Sequence, residues 1–213
     1  MLFFNTHTHF SKHPGTEILQ GHENEPTTHF HSLGIHPWES DNFPLIHEQL
    51  IQNGISNPSC LAIGEVGLDG LKGPEMEIQK ATFIAQINLS EEYQLPVIIH
   101  CVKAWNELLL LKRILKPQQK WVFHGFAKFG ILPSVIQEKM MISIGSAIIH
   151  HPKALEICRL VPNELLLLET DDSSISIQEV YARVAELKEI SLQNLTKIVE
   201  QNFKNTFQKW HIG

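Results

Sequence analysis

The sequence predicts an α/β fold: a (β/α)8 barrel, distorted, with its first two crossover helices absent or replaced by loops. Three observations predict it. From residue 59 onward, apolar strand-like runs alternate with helical stretches, as in a parallel sheet buried on both faces. Counted along the whole chain, the strand-like runs reach eight, the number at which such a sheet closes. Finally, histidines and acids close or lie within the apolar runs, and a parallel barrel brings such strand ends to one rim.

The elements follow in order. LFFNTHTH is the first strand, TEILQGH a short second and THFHSLGIH the third. Pro14, Gly15, Gly21 and Pro26 leave no room for ordinary helices between them. PLIHEQLIQNG is the helix after the third strand. SCLAIGEVGLD then leads, past Gly73 and Pro74, into the long helix EMEIQKATFIAQINLSEEYQ. LPVIIHC precedes the helix AWNELLLLKRIL, and KWVFHGF precedes LPSVIQEK. MMISIGSAI precedes PKALEICRL, ELLLLETD precedes ISIQEVYARVAELKEI, and the helix LQNLTKIVEQNFKNTF closes the chain. The absent helices would leave a flank of the barrel bare, to be covered by the last helix or by a second copy in a homo-oligomer. No repeat, low-complexity segment or linker interrupts the pattern, so residues 1–213 are expected to form one domain.

Composition bounds the function. The 213 residues suit one domain, and 43% hydrophobic residues suffice for a sizeable core. Seventeen Lys+Arg against twenty-three Asp+Glu give a net charge of −6. No global basic surface holds nucleic acid, so a phosphate-bearing substrate must be held by a metal or by a few placed cations. Cys60, Cys101 and Cys158 are odd in number, far apart and without a CxxC, which favours reduced thiols. The short apolar start meets polar residues at once, and no stretch approaches a membrane span. The expectation is a cytoplasmic protein without membrane attachment.

The chemistry lies in six residues. His7 and His9 are two apart on a strand and face the same side, a spacing that suits two imidazoles on one ion. Glu65 sits in an apolar run between Gly64 and Gly67 and needs a counter-charge once buried. A nearby histidine, or a bridging position between two cations, would supply it. His100 and His124 end consecutive strands and would be neighbours able to share an ion, although each alone also reads as a rim residue. Asp171 ends LLLLETD, where burial raises a carboxyl pKa and a metal reverses that. Imidazoles and carboxylates are what borderline divalent metals accept. Two ligand sets joined by Glu65 therefore describe a two-metal site that activates water, with Asp171 also placed to act as general base.

The order HTH, GIHPW, GEVGLD, IIH, FHGF and LLLETD resembles the TatD family of metal-dependent hydrolases, within the amidohydrolase-type TIM barrels. The resemblance runs nearly the whole chain, through NFKNTF. It implies that His7, His9 and Asp171 hold one metal, that His100 and His124 hold the other, and that Glu65 bridges them. It places LLLETD on the eighth strand. It implies two divalent ions (Mg, Mn or Zn) and a deoxyribonuclease cleaving phosphodiester bonds, with DNA ends as the substrate.

The sequence departs from the family pattern on the substrate side. Val102, followed by Lys103, stands where the family carries Arg, and FAK, ending in Lys128, replaces FSG. After the aspartate, DDSSIS replaces a proline-containing loop with an arginine. Lys103 and Lys128 are the remaining candidate phosphate cations, or ordinary surface lysines. Trp38 could stack on a base or cap the barrel mouth, and His36 reads as substrate-facing or as a support to the ligands rather than one of them. His22, His29, His31, His150 and His151 read as surface or strand residues, the last two standing on the same rim. Cys101 is expected to face the helices and not to act as a nucleophile. Two alternatives stay open: the same metal site acting on a small phosphoester, ester or cyclic amide, and a non-catalytic barrel that binds metal or a partner.

Overall fold

The computed structural model describes residues 1–13, 15–21, 29–42 and 54–210. Eight strands form one sheet: β1 (Asn5–Thr8), β2 (Glu17–Gln20), β3 (His31–Leu33), β4 (Cys60–Asp69), β5 (Val97–Val102), β6 (Trp121–Phe123), β7 (Met141–Ile144) and β8 (Leu166–Leu168). They pair in chain order, every neighbouring pair parallel. The sheet nearly closes into a barrel. At its seam, Thr8 and Asp171 form a parallel bridge, His9 N donates to Asp171 O and Asp171 N donates to His7 O. Closure thus occurs at the end of the barrel where the histidines and acids gather.

The strand interiors are apolar on both faces. Val97, Ile98 and Ile99 of β5, and Leu166, Leu167 and Leu168 of β8, are fully buried. One set of side chains fills the barrel and the other packs under the helices. Among the described residues the α-helices are α1 (Met76–Tyr93), α2 (Trp105–Leu115), α3 (Leu132–Gln137), α4 (Pro152–Leu160), α5 (Ile177–Leu187) and α6 (Leu192–Thr206). Their boundaries follow local chemistry. Ser176 and Glu179 close a reciprocal capping box on α5, and Ser191 caps α6 by accepting from Asn194 N.

The distortion lies in the N-terminal quarter, as predicted. The β1–β2 connection is residues 9–16 and the β2–β3 connection residues 21–30. Both are shorter than the dozen or so residues that a helical crossover between parallel strands requires. The bare flank is covered from within the chain. Leu195, Val199 and Phe203 recur every fourth residue on α6 and are fully buried. Phe203 and Trp210 lie 4.7 and 5.2 Å from the Phe4 ring, and Trp210 Nε1 donates to Gly15 O at 2.9 Å.

Several predicted elements are shorter than their apolar runs. β1 ends at Thr8, so His9 follows the strand. Among the described residues of THFHSLGIH only His31–Leu33 is strand, and Gly34 just beyond it brings its backbone against Gly64 and Val66 with no room for a side chain. The helix expected at PLIHEQLIQNG falls almost entirely outside the described residues. Among the described residues, no helix is long and apolar enough to cross a membrane.

Candidate metal centre

Glu65 is the centre of the rim. It leaves the middle of β4 and is only 5% exposed. Its Oε1 lies 2.8 Å from His100 Nδ1, 2.7 Å from His124 Nε2 and 3.6 Å from His36 Nε2. Its Oε2 lies 3.4 Å from His7 Nε2. Local backbone makes this packing possible. Gly67, with φ +151°, presses against the His100 backbone so closely that any side chain would collide with it, drawing β4 onto β5.

Asp171 forms the second focus. It follows β8 in a left-handed conformation, φ +55°, which Asp tolerates better than most residues. Its Oδ1 lies 3.5 Å from His7 Nε2 and 3.4 Å from His9 Nε2. His7 therefore stands between the two carboxylates, and its ring centroid is 4.7 Å from that of His124. All six sequence-predicted residues converge. Three sets of their side chains, with His36 now among them, bring potential ligand atoms within 4.8 Å of one another: His7–His124–Asp171, His7–His9–Glu65 and His36–Glu65–His100.

The electrostatics are those of a carboxylate pair among imidazoles. Burial would raise the Glu65 carboxyl, but the His124, His100 and His36 rings outweigh it and hold it far below the usual carboxylate range. Asp171 is likewise depressed, its burial outweighed by His7 and His9. His7 is raised against burial by Asp171 and Glu65, and His124 well raised against burial by Glu65 and Glu169. Both ring nitrogens of His7, fully buried, lack a hydrogen-bond partner.

Above this cluster opens a cavity of about 640 Å³, lined among others by His36, Trp38, Val102 and Asp172. Trp38 is 43% exposed, its indole N–H donating to Asp69 Oδ2 at 2.7 Å and its ring lying 3.3 Å beneath Lys72 Nζ. Lys103 and Lys128 do not line the cavity. Both are exposed beside it, their ammonium groups 5.9 and 4.4 Å from the Trp105 ring. His29, His31, His150 and His151 do not line it either, and His22 is outside the described residues. Burial pushes the Cys101 thiol up to about 12, so it offers no thiolate at neutral pH.

Sequence reasoning passed over Asp69, Glu169, Lys72 and Trp105. Asp69 and Glu169 carried a signal: each is an acid inside one of the quoted motifs, GEVGLD and LLLLETD, and each is buried.

The family model for TatD related DNase matches residues 3–208. The chain belongs to the TatD family. It is 28% identical over 198 residues to the Bacillus subtilis metal-dependent hydrolase YabD, itself uncharacterized, covering 83% of this chain and 76% of that protein. To the 3'-5' ssDNA/RNA exonuclease TatD of Klebsiella pneumoniae it is 33% identical over 149 residues, 66% of this chain and 56% of that one. The chain thus spans little more than half the length of that exonuclease. The crystal structure of the TatD homolog YJJV from Escherichia coli K12 superposes with a TM-score of 0.83 at 22% identity, over 97% of this chain and 98% of that one. This TatD member is a metal-dependent hydrolase on a TIM barrel.

Proposed function

We propose that this TatD protein is a deoxyribonuclease, cleaving phosphodiester bonds at DNA ends with two divalent ions, and that residues 1–213 form one catalytic domain. The observation that carries the reading is Glu65, one carboxylate facing His7 on one side and His100 and His124 on the other. His7, His9 and Asp171 would hold one ion, His100 and His124 the other, with Glu65 shared. The residues fit such ions. A fully buried imidazole with neither nitrogen satisfied is costly, and a cation at Nε2 relieves it. The nitrogen and oxygen donors suit Zn, Mn or, with more carboxylate and water, Mg. When bound, the ions polarise a phosphoryl oxygen and supply a nucleophile at neutral pH.

The chain's own residues do the rest. Asp171 meets both histidines through Oδ1 and is one-third exposed, so its second oxygen is open to accept a proton as general base. His36 stands on the substrate side of Glu65. Trp38 offers a ring face for a base at the cavity mouth, and Lys103 and Lys128 bind a phosphate beside it. Three unpaired cysteines, Cys60, Cys101 and Cys158, support a reducing, cytoplasmic setting.

The relatives named as DNA and RNA exonucleases support this substrate. The net charge of −6 and Val102 in the cavity wall favour a second reading, a small phosphoester at the same site. Purified protein with Mg²⁺ or Mn²⁺ is expected to degrade DNA faster than a panel of small esters. Glu65→Gln and Asp171→Asn should each lower that rate by about a hundredfold or more. Activity surviving both substitutions would sink the mechanism. A preference for the small esters would favour the second reading.

A further inference from the structure

We propose that Asp69 and Glu169 are positioning residues, each holding the outward ring nitrogen of one histidine so that its opposite nitrogen faces Glu65. The inference rests on the metal-centre reading above and adds which tautomer each ligand takes. His100 lies between two carboxylates, with Nδ1 at 2.8 Å from Glu65 Oε1 and Nε2 at 3.2 Å from Asp69 Oδ2. His124 lies between the same Glu65 and a third carboxylate, with Nε2 at 2.7 Å from Glu65 Oε1 and Nδ1 at 3.4 Å from Glu169 Oε1. The two histidines therefore present different nitrogens to the centre. Each has its own acid behind it.

Both outer acids are themselves held. Asp69 is buried at the end of β4 and accepts from Trp38 Nε1 at 2.7 Å, Leu71 N at 2.8 Å and Lys72 N at 3.1 Å. Glu169 is fully buried beyond β8 and accepts from Gly125 N at 2.6 Å. Gly145 gives it room, since a Cβ there would approach its Cγ and Oε1 to 3.3 Å. The 3.4 Å contact to His124 is an ion-pair approach, too poorly aligned for a hydrogen bond, and Glu169 Oε2 and His124 Nδ1 stay unsatisfied. An ionised carboxylate only accepts, so a nitrogen facing one carries a proton, on the Glu65 side as on the outer side while no ion is bound. A metal taken up at Glu65 would claim the inner lone pairs and leave each ring's single proton on the nitrogen that Asp69 or Glu169 holds.

The test is long-range ¹H–¹⁵N correlation of the imidazoles in ¹⁵N-labelled protein loaded with Zn²⁺. His100 should carry its proton on Nε2 and His124 on Nδ1. Both histidines in the same tautomer would overturn the inference, and this measurement needs no variant. In parallel, Zn²⁺ affinity is measured by competition with a chromophoric chelator. Asp69→Asn and Glu169→Gln should each weaken it roughly 10–100-fold, and the distant surface variant Glu77→Gln should leave it unchanged. Wild-type affinity in both positioning variants would equally overturn it. Wild-type protein that takes up no zinc would overturn the metal-centre reading, and this inference with it.

Discussion

Glu65 carries more of the rim than any other residue, because its two oxygens meet four histidines. That count was beyond sequence reasoning, which placed His7, His100 and His124 around a shared Glu65 but not His36 beside it. His36 shows the gap: it read as standing outside the ligand set, yet it joins Glu65 and His100 in one of the three clusters. At the same scale the substrate residues invite a test. Lys103 and Lys128 share the Trp105 ring just outside the cavity, and Val102 stands where the family carries Arg. The double change Lys103→Ala/Lys128→Ala should raise KM for a single-stranded oligonucleotide. Two lost phosphate contacts should also flatten the dependence of log K on log salt by about 1.4. Hydrolysis of a small phosphodiester should be unaffected. An unchanged salt dependence would show that the two lysines face solvent only.

Among the elements, β1 is the one that the rest must hold in place, since it delivers His7 and has no helix following it. Its hold comes from the far end of the chain. Tyr181 on α5 accepts from Phe4 N at 3.0 Å and donates to Phe4 O at 3.1 Å, and burial pushes its phenol up. Tyr181→Phe removes both bonds and leaves buried backbone groups unpaired. It is expected to cost about 1–3 kcal/mol of unfolding free energy, read as a lower urea midpoint with unchanged slope. A midpoint equal to wild type would mean that water replaces the hydroxyl. The C-terminal helices were legible as helices from their periodicity. That the last helix covers the bare flank was one of two expectations; which of its residues meet β1 was not legible, because packing between residues 4 and 203 leaves no local trace.

For the whole molecule, the site couples folding, protons and metal. Glu65 and Asp171 are depressed, so their contribution to metal-free stability is present above the ordinary carboxylate range and lost as pH falls through the depressed values. His7 and His124 are raised above 6.5, so theirs is present below 6.5 and lost as pH rises through the raised values. Metal binding runs the other way on the histidines, because an ion displaces their protons. The rise in Tm on adding Zn²⁺ to chelator-treated protein should therefore be larger at pH 8 than at pH 6. At a hundredfold excess over Kd it should approach about 2.7 kcal/mol of added stability. A metal effect independent of pH would mean that these histidines do not ligate the ion.

The sequence by itself determined what each segment is. Apolar runs and helical periodicity set the order of strands and helices, Pro14, Gly15, Gly21 and Pro26 argued against ordinary helices between the first three strands, and acids and histidines at strand ends announced the rim. These are local properties, written within a few residues of where they act. Tertiary structure alone decided what meets what. Closure between Thr8 and Asp171 brings the first and last strands together, and the pressing of Gly67 onto the His100 backbone sets how close Glu65 stands to its histidines. Which ring nitrogen faces Glu65, and which faces Asp69 or Glu169, is likewise visible only once the strands are side by side. Strand number, register and twist are summed over the whole barrel, so no segment contains the answer.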